Sequence, residues 1–468
     1  MTAMPTLLAL FLSFPLAAAA QQPESGKPEA SSQGAGQVST PSHDMSDMDG
    51  LDDMNDMPMH GGMHMHPETF LQEIVHHSSS GTTAEPNSTP TPMLMATRAS
   101  WMLMFHANIF ISDSQQSGPR GADRFFSTNW FMGMAQHRLG PGTFTARAML
   151  SLEPATVTDR RYPLLFQQGE TAFGLPIVDG QHPHDFVMEL AALYDLSLGK
   201  KSLLSFYFAP IGDPSIGPTA YPHRASAMEN PVGTLGHHQQ DSTHIVSDVI
   251  TLGLTHRIVR FEVSGFHGRE PDEFRWNIDS GKLDSWSTRL TVQPGHNWSA
   301  QYSYARIASP EALFPSEDQQ RMTASIMYNR PLANGPFGNG NWASTILWGR
   351  TRSLADNGTF NSHLFESTLR FITRNYVWTR IENADRSNEL LLGPQPLPPD
   401  FHEQPLARVQ AYSFGYSRDF EIIPHLASAL GVQVTAYGVP GVLQPAYGAH
   451  PFGALVFVRL RPYSGTDR

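Results

Sequence analysis

From Arg98 onward the chain alternates apolar and polar residues with a period of two. Trp298, Ala300, Tyr302 and Tyr304 are interleaved with Ser299, Gln301 and Ser303, and Val259, Phe261 and Val263 with Arg260, Glu262 and Ser264. The same alternation runs through Met322, Ala324, Ile326 and Tyr328, and through Phe365, Leu369 and Phe371 against Glu366, Thr368 and Arg370. Such a pattern predicts strands with one apolar and one polar face. About sixteen runs (14–18) can be drawn, near 99–112, 124–138, 143–152, 186–198, 202–209, 243–255, 258–267, 285–293, 297–305, 320–330, 341–350, 362–372, 375–382, 408–418, 426–437 and 452–462. Most are long enough for a tilted membrane crossing. Trp101, Trp286, Trp298, Trp342, Trp348, Tyr376 and Tyr437 fall near strand ends, as an interfacial aromatic girdle requires.

The connections sharpen this reading. Gly140-Pro141-Gly142, Gly199-Lys200-Lys201, Pro294-Gly295-His296 and Arg374-Asn375 are tight turns, and Pro331 to Gly340 is a moderate exception. They alternate with long connections at 153–185, 210–242, 268–284 and 383–407. Outer-membrane barrels alternate short periplasmic turns with long external loops. The expected fold class is therefore all-β, a transmembrane antiparallel barrel over residues 98–468, with strand one running outward and both termini in the periplasm. A soluble secreted β-protein is the alternative. A sixteen-stranded barrel is wide enough for an aqueous lumen. The third external loop, 210–242, is stiffened by Pro210, Pro214, Pro218, Pro222 and Pro231 and is expected to constrict that lumen. Arg260, Glu262, Arg289, Glu366 and Arg370 are expected to face it and tune selectivity. A terminal aromatic is common in such barrels, and Tyr463 is the nearest substitute here.

The first 97 residues read differently. Residues 1–20 resemble a signal peptide: Leu7 to Ala20 is apolar, too short to span, and ends in four Ala. Residues 21–97 hold eleven acids and one Lys, while 98–468 hold 32 acids and 30 bases, so the net charge of −12 sits mostly in a tail. The tail is expected to be disordered and periplasmic, with a short helix near 67–75, and nothing in it resembles a receptor plug domain. No basic stripe suggests nucleic acid. The absence of Cys excludes disulfides, thiolate metal sites and a lipid-anchor cysteine.

Within the tail, 17 of the 24 residues from 43 to 66 are Met, His or Asp. His43, Met45, Met48, Met54, Met57, Met59, His60, Met63, His64, Met65 and His66 offer thioethers and imidazoles, the ligand set of copper: sulfur for Cu(I), nitrogen for Cu(II). The interleaved Asp would concentrate cations by electrostatics. The bland reading is a solvated low-complexity tail. His76-His77 adds two imidazoles. Further on, His182 and His184, flanked by Asp179 and Asp185, could bind a divalent metal, although Asp179-Gly180 is also an ordinary turn. His223, His237, His238 and His244 lie in or beside the third loop.

A Met/His block ahead of a barrel resembles the copper-resistance protein B family of outer-membrane proteins. The resemblance rests on Met45, Met48, Met54, Met57, Met59, Met63, Met65, His60, His64 and His66 and implies copper tolerance. The expected function is transition-metal handling, copper first, with periplasmic capture by the tail and export or resistance as the outcome. Alternatives are a general or substrate-specific porin with an incidental tail, and a membrane-embedded hydrolase. Against the last, no G-x-S-x-G, H-E-x-x-H or phosphate-loop motif is present. Expected partners are transition-metal ions, outer-membrane lipids, a periplasmic metal carrier and, as in many porins, two further copies forming a homo-trimer.

Overall fold

A computed structural model describes residues 67–463, apart from 78 and 394. The signal segment and every tail ligand from His43 to His66 lie outside the described residues.

Among the described residues nineteen strands are formed. β1 (Leu94–Arg98), β2 (Trp101–Gln116), β3 (Arg124–Leu139) and β4 (Gly142–Leu150) come first. β5 (Tyr162–Ala172) and β6 (Leu175–Gln181) make a separate hairpin. Then follow β7 (Val187–Ser197), β8 (Ser202–Gly212), β9 (Val246–His256), β10 (Val259–His267), β11 (Ser285–Gly295) and β12 (Trp298–Ile307). β13 (Gln319–Gly335), β14 (Gly338–Ser353), β15 (Thr359–Phe371), β16 (Asn375–Ser387), β17 (Pro405–Ile423), β18 (Leu426–Gly438) and β19 (Phe452–Pro462) complete the set. Leaving out β1, β5 and β6, sixteen strands pair antiparallel with their chain neighbours, and β19 returns to β2 to close the barrel. Each of the sixteen expected runs is one of these strands. Closure removes both sheet edges, which a bilayer demands because it offers no water to an unpaired backbone group.

The side chains obey an inverted burial rule. On β10, Val259, Phe261 and Val263 are exposed, and Arg260, Glu262 and Ser264 are buried. On β12, Trp298 and Tyr302 face out and Ser299, Gln301 and Ser303 face in. An apolar exterior around a polar interior is the arrangement a lipid surround selects. Among the described residues no helix is long and apolar enough to cross a membrane. Trp101, Trp286, Trp298 and Trp342 are on the exterior as expected, whereas Tyr376 and Tyr437 are buried in the interior. Pro331 to Gly340 is not a loop: β13 and β14 continue through it, pairing Leu332 with Gly340. All seven connections at that rim are two to four residues long, which defines a short-turn rim opposite a long-loop rim.

Shear leaves β2 partly uncovered. β19 reaches only Ile109–Gln116, and β1 folds back to pair with Trp101–Phe105. The seam is thus finished by the residues just ahead of the barrel.

Residues 67–97 are not a linker. Helix α1 (Phe70–His76) starts at a capping box in which Thr69 and Gln72 satisfy each other's backbone N–H groups. It buries Phe70, Leu71 and Ile74 against Ala84 and Leu203. The chain then crosses the lumen beside the short-turn rim. Arg147 on β4 donates to the carbonyls of His77, Ser79 and Gly81, Arg289 on β11 to the Thr82 hydroxyl, and Asn329 on β13 to the Ser88 carbonyl. The sequence concealed this because the segment is polar: its partners are lumen side chains, not a hydrophobic core.

The third long connection, 213–245 (L3), fills the middle of the lumen and is almost wholly buried, as its proline content predicts. Its charges dock on the wall. Arg224 meets Glu366 at 2.6 Å, and Arg380 meets the same carboxylate at 3.1 Å. Glu229 is held between Arg459 and Arg461. Between L3 and the short-turn rim lies a chamber of about 630 Å³, walled by Arg370, Arg459 and Arg461 but also by Glu229 and Asp419.

Replacing Glu229 by Ala leaves two buried guanidiniums without that partner, a loss of roughly 3–5 kcal/mol. The expected result is a lower unfolding temperature by heat-modified gel mobility, together with a several-fold rise in planar-bilayer conductance as L3 detaches. Unchanged conductance would show that L3 is not the constriction.

Candidate metal centre in the lumen

The second long connection, 151–186 (L2), carries the β5–β6 hairpin into the barrel beside L3. Leu164, Leu165, Phe166 and Val178 of the hairpin pack with Leu235 of L3 against Ala384, Val409 and Tyr437 of the wall. This apolar contact fixes the position of the residues after the hairpin, where His182 and His184 lie. Histidines from L2 and L3 then form a belt. His184 and His244 rings are 5.4 Å apart, His244 and His237 5.3 Å, His237 and His238 5.6 Å, and His182 and His237 6.2 Å.

The two imidazoles of the His-Pro-His motif do not share a ligand. His182 Nε2 lies 3.2 Å from Glu170 Oε1, while His184 Nδ1 lies 3.0 Å from Glu153 Oε1. Pro183 sits between them in irregular backbone, and each ring is claimed by its own carboxylate. The flanking acids are also engaged elsewhere: Asp185 pairs with Arg275 at 3.3 Å and Asp179 with Arg120 at 3.1 Å.

A different trio converges. One donor atom each from Glu170, His182 and His238 lie within 4.8 Å of one another. His182 Nε2 meets only Glu170 of this trio, at 3.2 Å and without hydrogen-bond geometry, and the buried His238 Nδ1 makes no hydrogen bond, its nearest carboxylate being Glu270 at 4.0 Å. Orphaned buried polar atoms carry a desolvation cost, so such a pair aimed at one spot is a candidate for an absent ligand. Burial first, then Arg275 for His182 and His237 for His238, hold both imidazoles well below their usual range and therefore neutral, the ligating form. Glu170 is shared, its second oxygen taking Arg275 at 3.0 Å. Two imidazoles and a carboxylate suit a borderline divalent cation such as Zn(II), Ni(II) or Cu(II).

The neighbouring side chains orient the belt. His237 Nδ1 is 2.8 Å from Asp241 Oδ1. Asp241 stays well below the usual carboxylate range in spite of burial, because His237 and Arg224 hold its charge. His184 is raised by Glu153 against the effect of burial. His237, His238 and His244 were noticed in the sequence without a role. Glu170 has no signal there, because β5, which carries it, and L3, which carries His238, meet only in three dimensions.

His76 and His77 are both buried, and His77 Nε2 lies 2.6 Å from Asp195 on β7, so it serves the packing of the N-terminal segment. Arg260, Glu262, Arg289 and Glu366 all face the lumen as expected, fully buried in ion pairs, with Arg370 on the chamber wall.

No protein-family model and no curated protein sequence matches the chain. Solved structures do show similarity. The anion-selective porin from Comamonas acidovorans aligns with a TM-score of 0.47 at 10% identity, over 77% of this chain and 99% of that one. OmpF of Salmonella typhi in complex with daunomycin aligns at 0.49 and 8%, over 79% and 100%. OmpT of Vibrio cholerae, in a trimer form, aligns at 0.43 and 6%, over 78% and 100%. The fold rests on the strand pairing itself: this is an outer-membrane type of β-barrel with sixteen strands.

Above the His belt, Glu311, Glu389 and Glu403 cluster at the long-loop rim, two of them lining a small cavity that His238 and Arg386 also line. Burial, then mutual repulsion, pushes each up to about 8. A raised carboxyl stabilises the fold fully below its ordinary value near 4.5, and that stability is lost as pH rises through about 8. The protection factors of amides within 388–404, which remove the intrinsic pH dependence of exchange, should therefore fall across that window in the wild type. The double variant Glu311→Gln with Glu403→Gln should flatten the dependence, and an unchanged slope would refute the assignment.

Proposed function

We propose that this chain is a selective outer-membrane channel for transition-metal cations, closed in the state described. The observation that carries the reading is the convergence of Glu170, His182 and His238 inside a lumen that L2 and L3 fill. A general diffusion pore has no need of two neutral imidazoles and a carboxylate converging inside its lumen. The Met/His residues from His43 to Met65 and His66 belong to the same proposal as the capture arm, with copper as the metal of first interest. They precede α1, which lies at the short-turn rim. Periplasmic placement of that rim, export or resistance as the outcome, and homo-trimeric assembly are further parts of the proposal.

The test is equilibrium binding of Zn(II), Ni(II) and Cu(II) to the refolded chain, compared with His182→Ala, His238→Ala and a form lacking residues 43–66. Removing one imidazole should weaken the lumen site by at least the roughly 10–100-fold that loss of a mere supporting partner costs. Deleting 43–66 should remove separate, weaker sites. Equal binding by all forms would reject the metal reading. Efficient passage of small sugars in liposome swelling would then support the second reading, a porin with an incidental tail, which the sixteen-strand width favours.

A further inference from the structure

The wall of the barrel holds a second set of donors, softer than the first. His106 on β2 pairs in register with Met132 on β3, and Met132 pairs with Met149 on β4, so the three form one inward-facing row. L3 lays His223 against this row. His106 Nε2 is 2.9 Å from the Met132 sulfur, and His223 Nε2 is 3.1 Å from the Met149 sulfur. The two rings are 6.2 Å apart, and Trp130 packs against both, at 5.0 and 4.2 Å. All four donors are buried. A cavity of about 20 Å³, room for one water-sized particle, is lined by His106, His223 and Trp130. The same cavity is lined by Glu85, whose Oε1 is buried and unpartnered, and by Arg461.

We propose that His106, Met132, Met149 and His223 bind a soft monovalent cation, Cu(I), where β2–β4 meet L3. Neutral imidazole and thioether are the donors that select Cu(I) over Zn(II) or Mg(II). His223 is kept neutral, its imidazole lowered well below the usual range by burial and then by His106.

The competing explanation is that Met merely fills gaps, as it does in many cores. Its distribution argues otherwise. Met93, Met104, Met132, Met134, Met149 and Met188 are all buried in this one cluster, with Met95 and Met102 packed against it. The other four buried clusters contain no Met. Gap filling would spread Met among them. This proposal is independent of the divalent site: the donors differ, and either can fail alone.

The experiment is anaerobic Cu(I) competition against a chromogenic chelator, with Ag(I) as a redox-inert probe. It uses the full chain, the form lacking 43–66, and Met132→Leu with Met149→Leu in that background. Leu preserves volume, so heat-modifiable mobility should confirm a folded barrel. Expected are one Cu(I) retained without residues 43–66, an affinity at least about tenfold lower in the Leu variant, and no effect of His182→Ala. X-ray absorption of the Cu(I) form lacking 43–66 should show both sulfur and nitrogen neighbours, which tests the site without mutation. Absence of Cu(I) binding in that form, equal binding by the Leu variant, or a sulfur-free spectrum would overturn the proposal.

Discussion

The structure depends on how charge is buried inside a membrane barrel. Arg147, Arg224, Arg260, Arg289, Arg321, Arg380, Arg386 and Arg459 are among the largest fully buried side chains in the molecule. An isolated guanidinium there would be costly, and breaking one buried pair already removes several kcal/mol. Each arginine is instead met by a carboxylate or by carbonyls of a chain segment crossing the lumen. The wall therefore requires its filling: without L3, Glu366 would face Arg380 but lose Arg224, and Arg459 and Arg461 would lose Glu229. The lipid-facing surface holds the barrel in the bilayer, while these pairs decide what the barrel encloses.

Strands were legible in the sequence because lipid imposes a strict rule. Alternation on β10, β12, β13 and β15 follows from one face in hydrocarbon and the other in a polar lumen, and turns such as that at Gly140, with φ of 58°, mark where it resets. The lumen contents were less legible. L3 was recognisable from its prolines, but the β5–β6 hairpin was read as loop because its apolar residues pack without alternation. The helix expected near 67–75 is α1, but 81–92 resembles a linker because Arg147, Arg289 and Asn329 hold that stretch largely by its backbone, which leaves little trace in side-chain pattern.

The candidate site shows the same limit. His182 was found through its neighbour His184, yet the two separate, and its actual companions Glu170 and His238 come from a hairpin and a distant loop. Short spacing named one member of the trio, His182, while His184 turns to Glu153 instead. Convergence of L2 and L3 in the lumen supplies the rest, and the same convergence brings the imidazoles close to one another, with burial favouring the neutral ring at His182, His238 and His244.

The five residues of β1 that finish the seam also act as an anchor point. Because they are zipped to β2, the segment ahead of them can leave the lumen only as a leashed arm pivoting near Leu94. A short tether keeps its load at an effective concentration in the millimolar range. Reinsertion would then outcompete any free peptide present at ordinary cellular levels, so whatever enters the lumen from that rim must outlast a stopper that never diffuses away.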